Sequence, residues 1–234
     1  METLSKLWVY NKEKVGKQRD ISLMREHRQR YGLTGNCFDL AIWLLDEFRK
    51  DGVEAYPIGH NLNTEDAHVA VVALDESGNR YLCDLGDQWI MPILIDGHNE
   101  DFTDEKLSGF FPAAKIQVKP LRNHVEILYH RPNGKVSRQT YETTPLEKGY
   151  FMKAAEISQN IIRPIPLIES RVLYKNEMAH WEFDNWSITL STTEGLYKED
   201  TKRTISDFTE IIGNKVGFDK DLLHTILLEY RNKI

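Results

Sequence analysis

The 234-residue sequence predicts an α+β fold. Three observations carry that reading. A strongly amphipathic helical segment comes early, a long succession of short strand-like segments follows it, and helical segments return near the end. No regular strand–helix–strand alternation of the kind that builds a doubly wound sheet runs through the chain. Hydrophobic residues at 41% and charged residues at 28% fit a globular domain with a sizeable core.

Residues 20–31 (DISLMREHRQRY) read as a modest helix. Gly32 and Gly35 then interrupt the chain before CFDLAIWLLDEFRK, where Phe38, Ile42, Leu45 and Phe48 recur at helical spacing beside Leu40, Ala41 and Leu44. Asp51-Gly52 stops this helix, and Arg49 and Lys50 complement the negative end of its dipole. Cys37 thus falls at a helix N-terminus. Residues 53–58 read as a strand and 67–74 (AHVAVVAL) as a strand buried on both faces. Residues 75–79 (DESGN) form a turn, and 80–86 (RYLCDLG) return as the second arm of an antiparallel hairpin. Residues 92–99 are a loop or edge strand. Strands are expected at 114–118, 125–130 and 135–142, with Pro132-Asn133-Gly134 as a turn. Residues 146–159 read as a helix, and 163–170 as extended because Pro164 and Pro166 exclude helix. Short strands at 171–174, 180–183 and 187–191 precede helices at 206–212 and 219–230. The organisation expected is a helix plus hairpin region over 1–112 and a strand-rich region with a C-terminal helical lid over 113–234, in one compact unit.

Composition removes several classes of function. The formal net charge is −6 and no segment is dominated by basic residues, so no nucleic-acid partner is expected. Charges interrupt METLSKLWVYNKEKVGKQRD every few residues, which leaves no signal-peptide core. No run of about 18 apolar residues provides a membrane helix. Two cysteines make no disulfide scaffold, and a reducing cytoplasmic setting is the expectation. No glycine-rich phosphate loop is present, which disfavours nucleotide hydrolysis.

One constellation carries chemistry. A thiol is a strong nucleophile as thiolate, which a helix N-terminus and a nearby histidine favour. Cys37 has the first by position. His68 opens one arm of the hairpin and Asp84 lies near the end of the other. If DESGN closes the hairpin as a five-residue loop, Leu74 faces Arg80, His68 faces Gly86, and Asp84 sits diagonally on the face of His68. A four-residue loop turns Asp84 to the other face unless a bulge corrects it. Each residue also has a structural reading: Cys37 as a small core residue, His68 as a hydrogen-bonded strand histidine, Asp84 as a turn former. A zinc site from Cys37, His60, His68 and Cys83 fits no common ligand spacing, and Cys83 alternates away from Asp84. No metal is expected. Trp181, Phe183 and Trp186 line a pocket or, more ordinarily, anchor a sheet core. The run at 198–203 (KEDTKR) reads as a solvated face, with a phosphate contact as the lesser alternative.

The motifs around these residues resemble those of the arylamine N-acetyltransferases. Gly35-Asn36-Cys37-Phe38-Asp39-Leu40 before an amphipathic helix is similar to that family's Arg-Gly-Gly-x-Cys-x-Glu nucleophile motif. His68 before an apolar strand resembles its catalytic histidine, and Tyr81-Leu82-Cys83-Asp84-Leu85-Gly86 resembles its Tyr-Leu-Val-Asp-Val-Gly motif. The match covers about residues 31–90, with a weaker likeness at 163–173 and 216–223. The resemblance implies a divergent, N-terminally shortened member with a papain-like core, a helix packed on antiparallel sheet, followed by a β-barrel-like middle region and an α/β lid. It implies a Cys37–His68–Asp84 triad, acetyl-CoA as co-substrate, a small-molecule amine as acceptor, and a ping-pong thioester mechanism. Leu33-Thr34 stand where the family has Arg-Gly, Asp39 where it has Glu, and Ala41 where Asn is common. Asp87-Gln88 replace a Phe-Gly whose aromatic helps line the acceptor pocket. These departures keep two alternatives open: a thiol amidase, protease or transglutaminase-like enzyme on the same scaffold, and a non-catalytic binding protein of that fold.

Overall fold

The computed structural model describes residues 1–13, 16–199 and 203–232. Three helices open the chain: α1 (Leu4–Glu13), α2 (Ile21–Tyr31) and α3 (Cys37–Lys50). A first meander follows as β1 (Ala55–His60), β2 (His68–Leu74), β3 (Arg80–Cys83) and β4 (Ile93–Leu94). A second comprises β5 (Leu107–Phe111), β6 (Ala114–Pro120), β7 (His124–His130) and β8 (Val136–Glu142). After α4 (Lys148–Asn160) comes a third, β9 (Leu167–Tyr174), β10 (Glu177–Asp184), β11 (Ser187–Ser191) and β12 (Leu196–Lys198), and the chain closes with α5 (Ile205–Val216) and α6 (Lys220–Asn232). Each four-stranded sheet is antiparallel with neighbours in sequence order. The α+β class is the observed one.

Local chemistry sets the helix boundaries. Asp20 caps α2 by accepting the Leu23 N–H, and Gly32 ends it in the left-handed region at φ 76°. A Cβ on Gly32 would also lie 2.2 Å from the Gly217 carbonyl oxygen, so no larger residue fits there. In α3, Asn36 and Asp39 form a reciprocal capping box, 3.1 Å from the Asp39 N–H to Asn36 Oδ1 and 3.0 Å from the Asn36 N–H to Asp39 Oδ2. Strand β1 starts two residues later than the sequence suggests, because the Val53 N–H still donates to the Phe48 carbonyl at the helix exit. Helix α1 and the short strands β5 and β12 carry no periodic signal strong enough to announce them. Residues 200–202 of the 198–203 run lie outside the described residues.

Strand β2 is buried on both faces, as its nearly continuous apolar run requires. Val69, Val71 and Ala73 pack with Cys83 against Phe38 and Ala41 of α3 and Phe151, Ala154 and Ala155 of α4. Ala70, Val72 and Leu82, on the opposite face, join Ile116, Val118, Val125, Ile127 and Tyr141 of the second sheet. These two sheets face each other across one core, the β-barrel-like middle region expected, and among the described residues they do not close into a full barrel. The strand edges run out before closure: β4 is two residues long, and β5 pairs with β6 through an irregular register. A third core joins Trp181, Phe183 and Ile188 to Leu4, Leu7, Phe208, Ile212 and Leu227, so Trp181 and Phe183 anchor the lid sheet on its helices. Among the described residues no helix is long and apolar enough to cross a membrane.

Candidate active site

The hairpin register decides what the sequence left open. Leu74 pairs with Arg80 and Val71 with Cys83, the five-residue-loop register, so His68 and Asp84 share a face beyond the end of β3. His68 Nε2 donates to Asp84 Oδ2 at 2.6 Å. That commits Nε2 and leaves Nδ1 as the ring nitrogen available on the other side. Cys37, the first residue of α3, lies beside the same imidazole and adds to the rise of its pKa, and its sulfur lies 3.9 Å from the Ala67 carbonyl oxygen.

Gly86 explains how closely these parts approach. A Cβ at this position would lie 2.6 Å from Cys37 Cβ and 3.2 Å from His68 Cε1. Glycine is therefore required where the loop after β3 passes behind both side chains. That loop also wraps Asp84: the Asp87 N–H donates to Asp84 Oδ1 at 2.9 Å and the Trp89 N–H to the Asp84 carbonyl at 3.0 Å.

Tyr141 completes the arrangement, a residue that sequence reading missed. It comes from β8 and is fully enclosed, and its hydroxyl donates to Asp84 Oδ2 at 2.9 Å. Its ring stands edge-on to both His60 and His68. No local signal marks it, because it lies 57 residues from Asp84 on another sheet. Burial, reinforced by Asp84, raises the Tyr141 pKa well above the ordinary phenol value and keeps it a donor. Asp87 accepts from Tyr129 Oη at 2.7 Å, and burial beside Asp84 pushes its carboxyl up to about 7.

Electrostatics favour a charged imidazole. Burial on its own lowers the His68 pKa, but the Asp84 charge and hydrogen bond, with the contact to Cys37, outweigh it and raise the pKa well above the usual histidine value. His60, paired with His68 across β1 and β2, shifts the other way through burial and the neighbouring imidazolium. Behind the thiol, Asp39 pairs with Arg19 at 2.9 Å with both side chains buried. That ion pair rests on Gly35, where a Cβ would lie 2.2 Å from Asp39 Oδ2. Such a pair is costly to break, because either partner alone leaves a buried charge.

Cys37 and His68 line a cavity of about 130 Å³ between α1, the loop before β2 and the end of α4, with Lys6, Ser158 and Arg163 on its walls. The four residues considered for zinc do not converge. Cys83 faces the helix-packed side of the sheet, with burial pushing its thiol up to about 12. Among the described residues, the one convergent group with metal-ligand chemistry is Glu169, His180 and Glu182 on β9 and β10, which spacing did not reveal.

No protein-family model matches the chain, and no curated protein matches its sequence. Solved structures do match. An arylamine N-acetyltransferase of Mycobacterium marinum in complex with CoA superposes with a TM-score of 0.72 over 96% of this chain and 85% of that one, at 9% identity. The Mycobacterium tuberculosis arylamine N-acetyltransferase gives 0.72 over 98% and 87%, at 13% identity. An arylamine N-acetyltransferase of Bacillus cereus, with a Cys-His-Glu catalytic triad, gives 0.63 over 91% and 83%, at 14% identity. At these identities the likeness establishes architecture, and the chain has the fold of the arylamine N-acetyltransferases.

Proposed function

We propose that this protein is a CoA-dependent N-acyltransferase in which Cys37 is the nucleophile, His68 the general acid and base, and Asp84 the residue that orients His68. The observation that carries this reading is the part-buried 2.6 Å His68–Asp84 hydrogen bond, with Cys37 beside the same imidazole at a helix N-terminus. Core packing alone gives no reason to align a thiol, an imidazole and a carboxylate in that order.

In the first half-reaction the Cys37 sulfur attacks the acetyl carbonyl of acetyl-CoA. A carbon–sulfur bond forms to Cys37, the bond to the CoA sulfur breaks, and the imidazolium of His68 supplies the proton that CoA takes away. In the second, an amine nitrogen attacks the thioester, His68 accepts the proton the nitrogen loses, and the Cys37 sulfur departs. Asp84 fixes the ring and steadies its charged form throughout. The Asp39 N–H is taken by Asn36 Oδ1, but the Cys37 and Phe38 N–H groups at the start of α3 lack intrahelical acceptors and are available to the oxyanion of each tetrahedral intermediate.

Incubation with acetyl-CoA and aniline tests the reading by CoA release. The proposal predicts amine-dependent release with parallel-line ping-pong kinetics. Release that is absent, or that needs both substrates bound together, contradicts it. The cytoplasm, where acetyl-CoA is available and thiols stay reduced, is the compartment this chemistry needs.

A further inference from the structure

Lys6 lies on α1, far from the triad in sequence, yet its side chain lines the Cys37 cavity. Its Nζ donates to the Ser158 carbonyl oxygen at 2.8 Å and to Ser158 Oγ at 3.1 Å. An ammonium has three donors, so one remains, and it has no partner among the described residues. Both acceptors are neutral. Burial pulls the Lys6 pKa down, and of the charged groups that oppose this Cys37 is the strongest, ahead of Asp39.

The other charges of the cavity do not replace a partner for Lys6. Arg163 donates to the Glu65 carbonyl at 2.7 Å and pairs with Asp66 at 3.2 Å. Glu65 also lines the cavity, but as an exposed residue at its rim. A Cys37 thiolate offers the ammonium an opposite charge, whereas a Cys37 thioester is neutral. Once acylation has occurred, Lys6 is a largely buried cation held by neutral oxygens, in walls of low dielectric that strengthen its pull on an anion.

We propose that Lys6 is a specificity-determining residue, whose third N–H receives a carboxylate on the substrate group entering the Cys37 cavity. This rests on the reading of Cys37 as nucleophile. The carboxylate belongs to the acyl group or to the amine acceptor, and the chemistry of recognition is the same for both.

Paired alkylating reagents test the charge preference directly. Iodoacetate carries a carboxylate, and iodoacetamide is its neutral counterpart of similar shape. The ratio of their rates at Cys37, divided by the same ratio for free cysteine, cancels any general change in thiol access. We expect a normalised ratio of about ten, the worth of one charge-assisted hydrogen bond. It should fall towards one in Lys6→Met, persist in Lys6→Arg, and shrink as salt is raised in the unaltered protein. A ratio of one in the unaltered protein, or a ratio unchanged in Lys6→Met, overturns the proposal. Should Lys6→Met fail to fold, the unaltered protein's ratio and its salt dependence still decide. If Cys37 reacts no faster than Cys83 with either reagent, the nucleophile reading falls too; fast reaction at Cys37 without charge preference sinks the Lys6 proposal alone. Comparing succinyl-CoA with acetyl-CoA as donor, and 4-aminobenzoate with aniline as acceptor, then locates the carboxylate. A Lys6-dependent preference in one pair assigns it, and none in either pair overturns the proposal.

Discussion

Cys37 and Cys83 border the same core, between the first sheet and helices α3 and α4, and differ in nearly everything that governs a thiol. Cys83 is the last residue of β3, paired with Val71 and buried against α3 and α4, and burial holds it protonated. Cys37 sits at the first position of a helix, half-buried, with an imidazole on its open side and a cavity in front. Both thiols stand at the end of an element, so the difference teaches that the kind of end and its exposure set a thiol's surroundings. A helix N-terminus leaves backbone donors unpaired beside an open cavity, whereas the end of a strand packed under two helices offers only apolar enclosure.

The largest effect should come from exchanging the roles of the two thiols. Cys37→Ser is expected to lower acyl transfer by at least about 10³-fold, while Cys83→Ala leaves it within about twofold, measured by CoA release. Equal losses at both positions would break the comparison.

Asp84→Asn comes next, with an expected loss of roughly 10³-fold or more from a misplaced imidazole tautomer. It should also move the His68 titration. The raised His68 pKa means that the ion pair with Asp84 stabilises the fold fully below the unfolded histidine value of about 6.5, and that this stabilisation is lost as pH rises through the folded value. In Asp84→Asn the histidine proton is expected to leave at lower pH, read by NMR of the ring, and the corresponding decline in stability should disappear. An unchanged His68 titration would detach Asp84 from the site.

How much of this was legible follows from what is local. The α3 helix, its Asp51-Gly52 stop and the position of Cys37 are written in adjacent residues, and the structure reproduces them. The His68–Asp84 pairing needed one further fact, the length of the hairpin loop, and two registers competed for it. The Asn36–Asp39 capping box was present in the sequence, where Asp39 registered as a departure from the Glu of the resembled motif. Tyr141 and Lys6 were not legible. Each reaches the site from a distant element, through contacts that span 57 and 152 residues respectively, and no periodicity encodes such a meeting. Helix α1 was obscured because its apolar Leu4 and Leu7 alternate with polar residues over barely three turns.

Smaller effects sharpen the picture. Gly86→Ala places a methyl 2.6 Å from Cys37 Cβ, and a shift of about an ångström at the nucleophile should lower kcat on the order of 10²-fold, with global stability far less affected. Unchanged turnover would show that the close approach behind Cys37 is not functional. Tyr141→Phe removes one donor from a buried carboxylate that keeps two others. We expect about a tenfold loss in kcat and a destabilisation of about 1–3 kcal/mol by urea unfolding. A loss of stability without any loss of kcat would confine Tyr141 to packing.

The most direct test of the central claim is the mass of the intact protein after brief exposure to acetyl-CoA and acid quenching, with no amine present. The account predicts a gain of one acetyl group on Cys37, retained in Cys83→Ala, absent in Cys37→Ser, and discharged when an amine is added before the quench. An unmodified protein, or an acetyl group carried elsewhere than on Cys37, would contradict it.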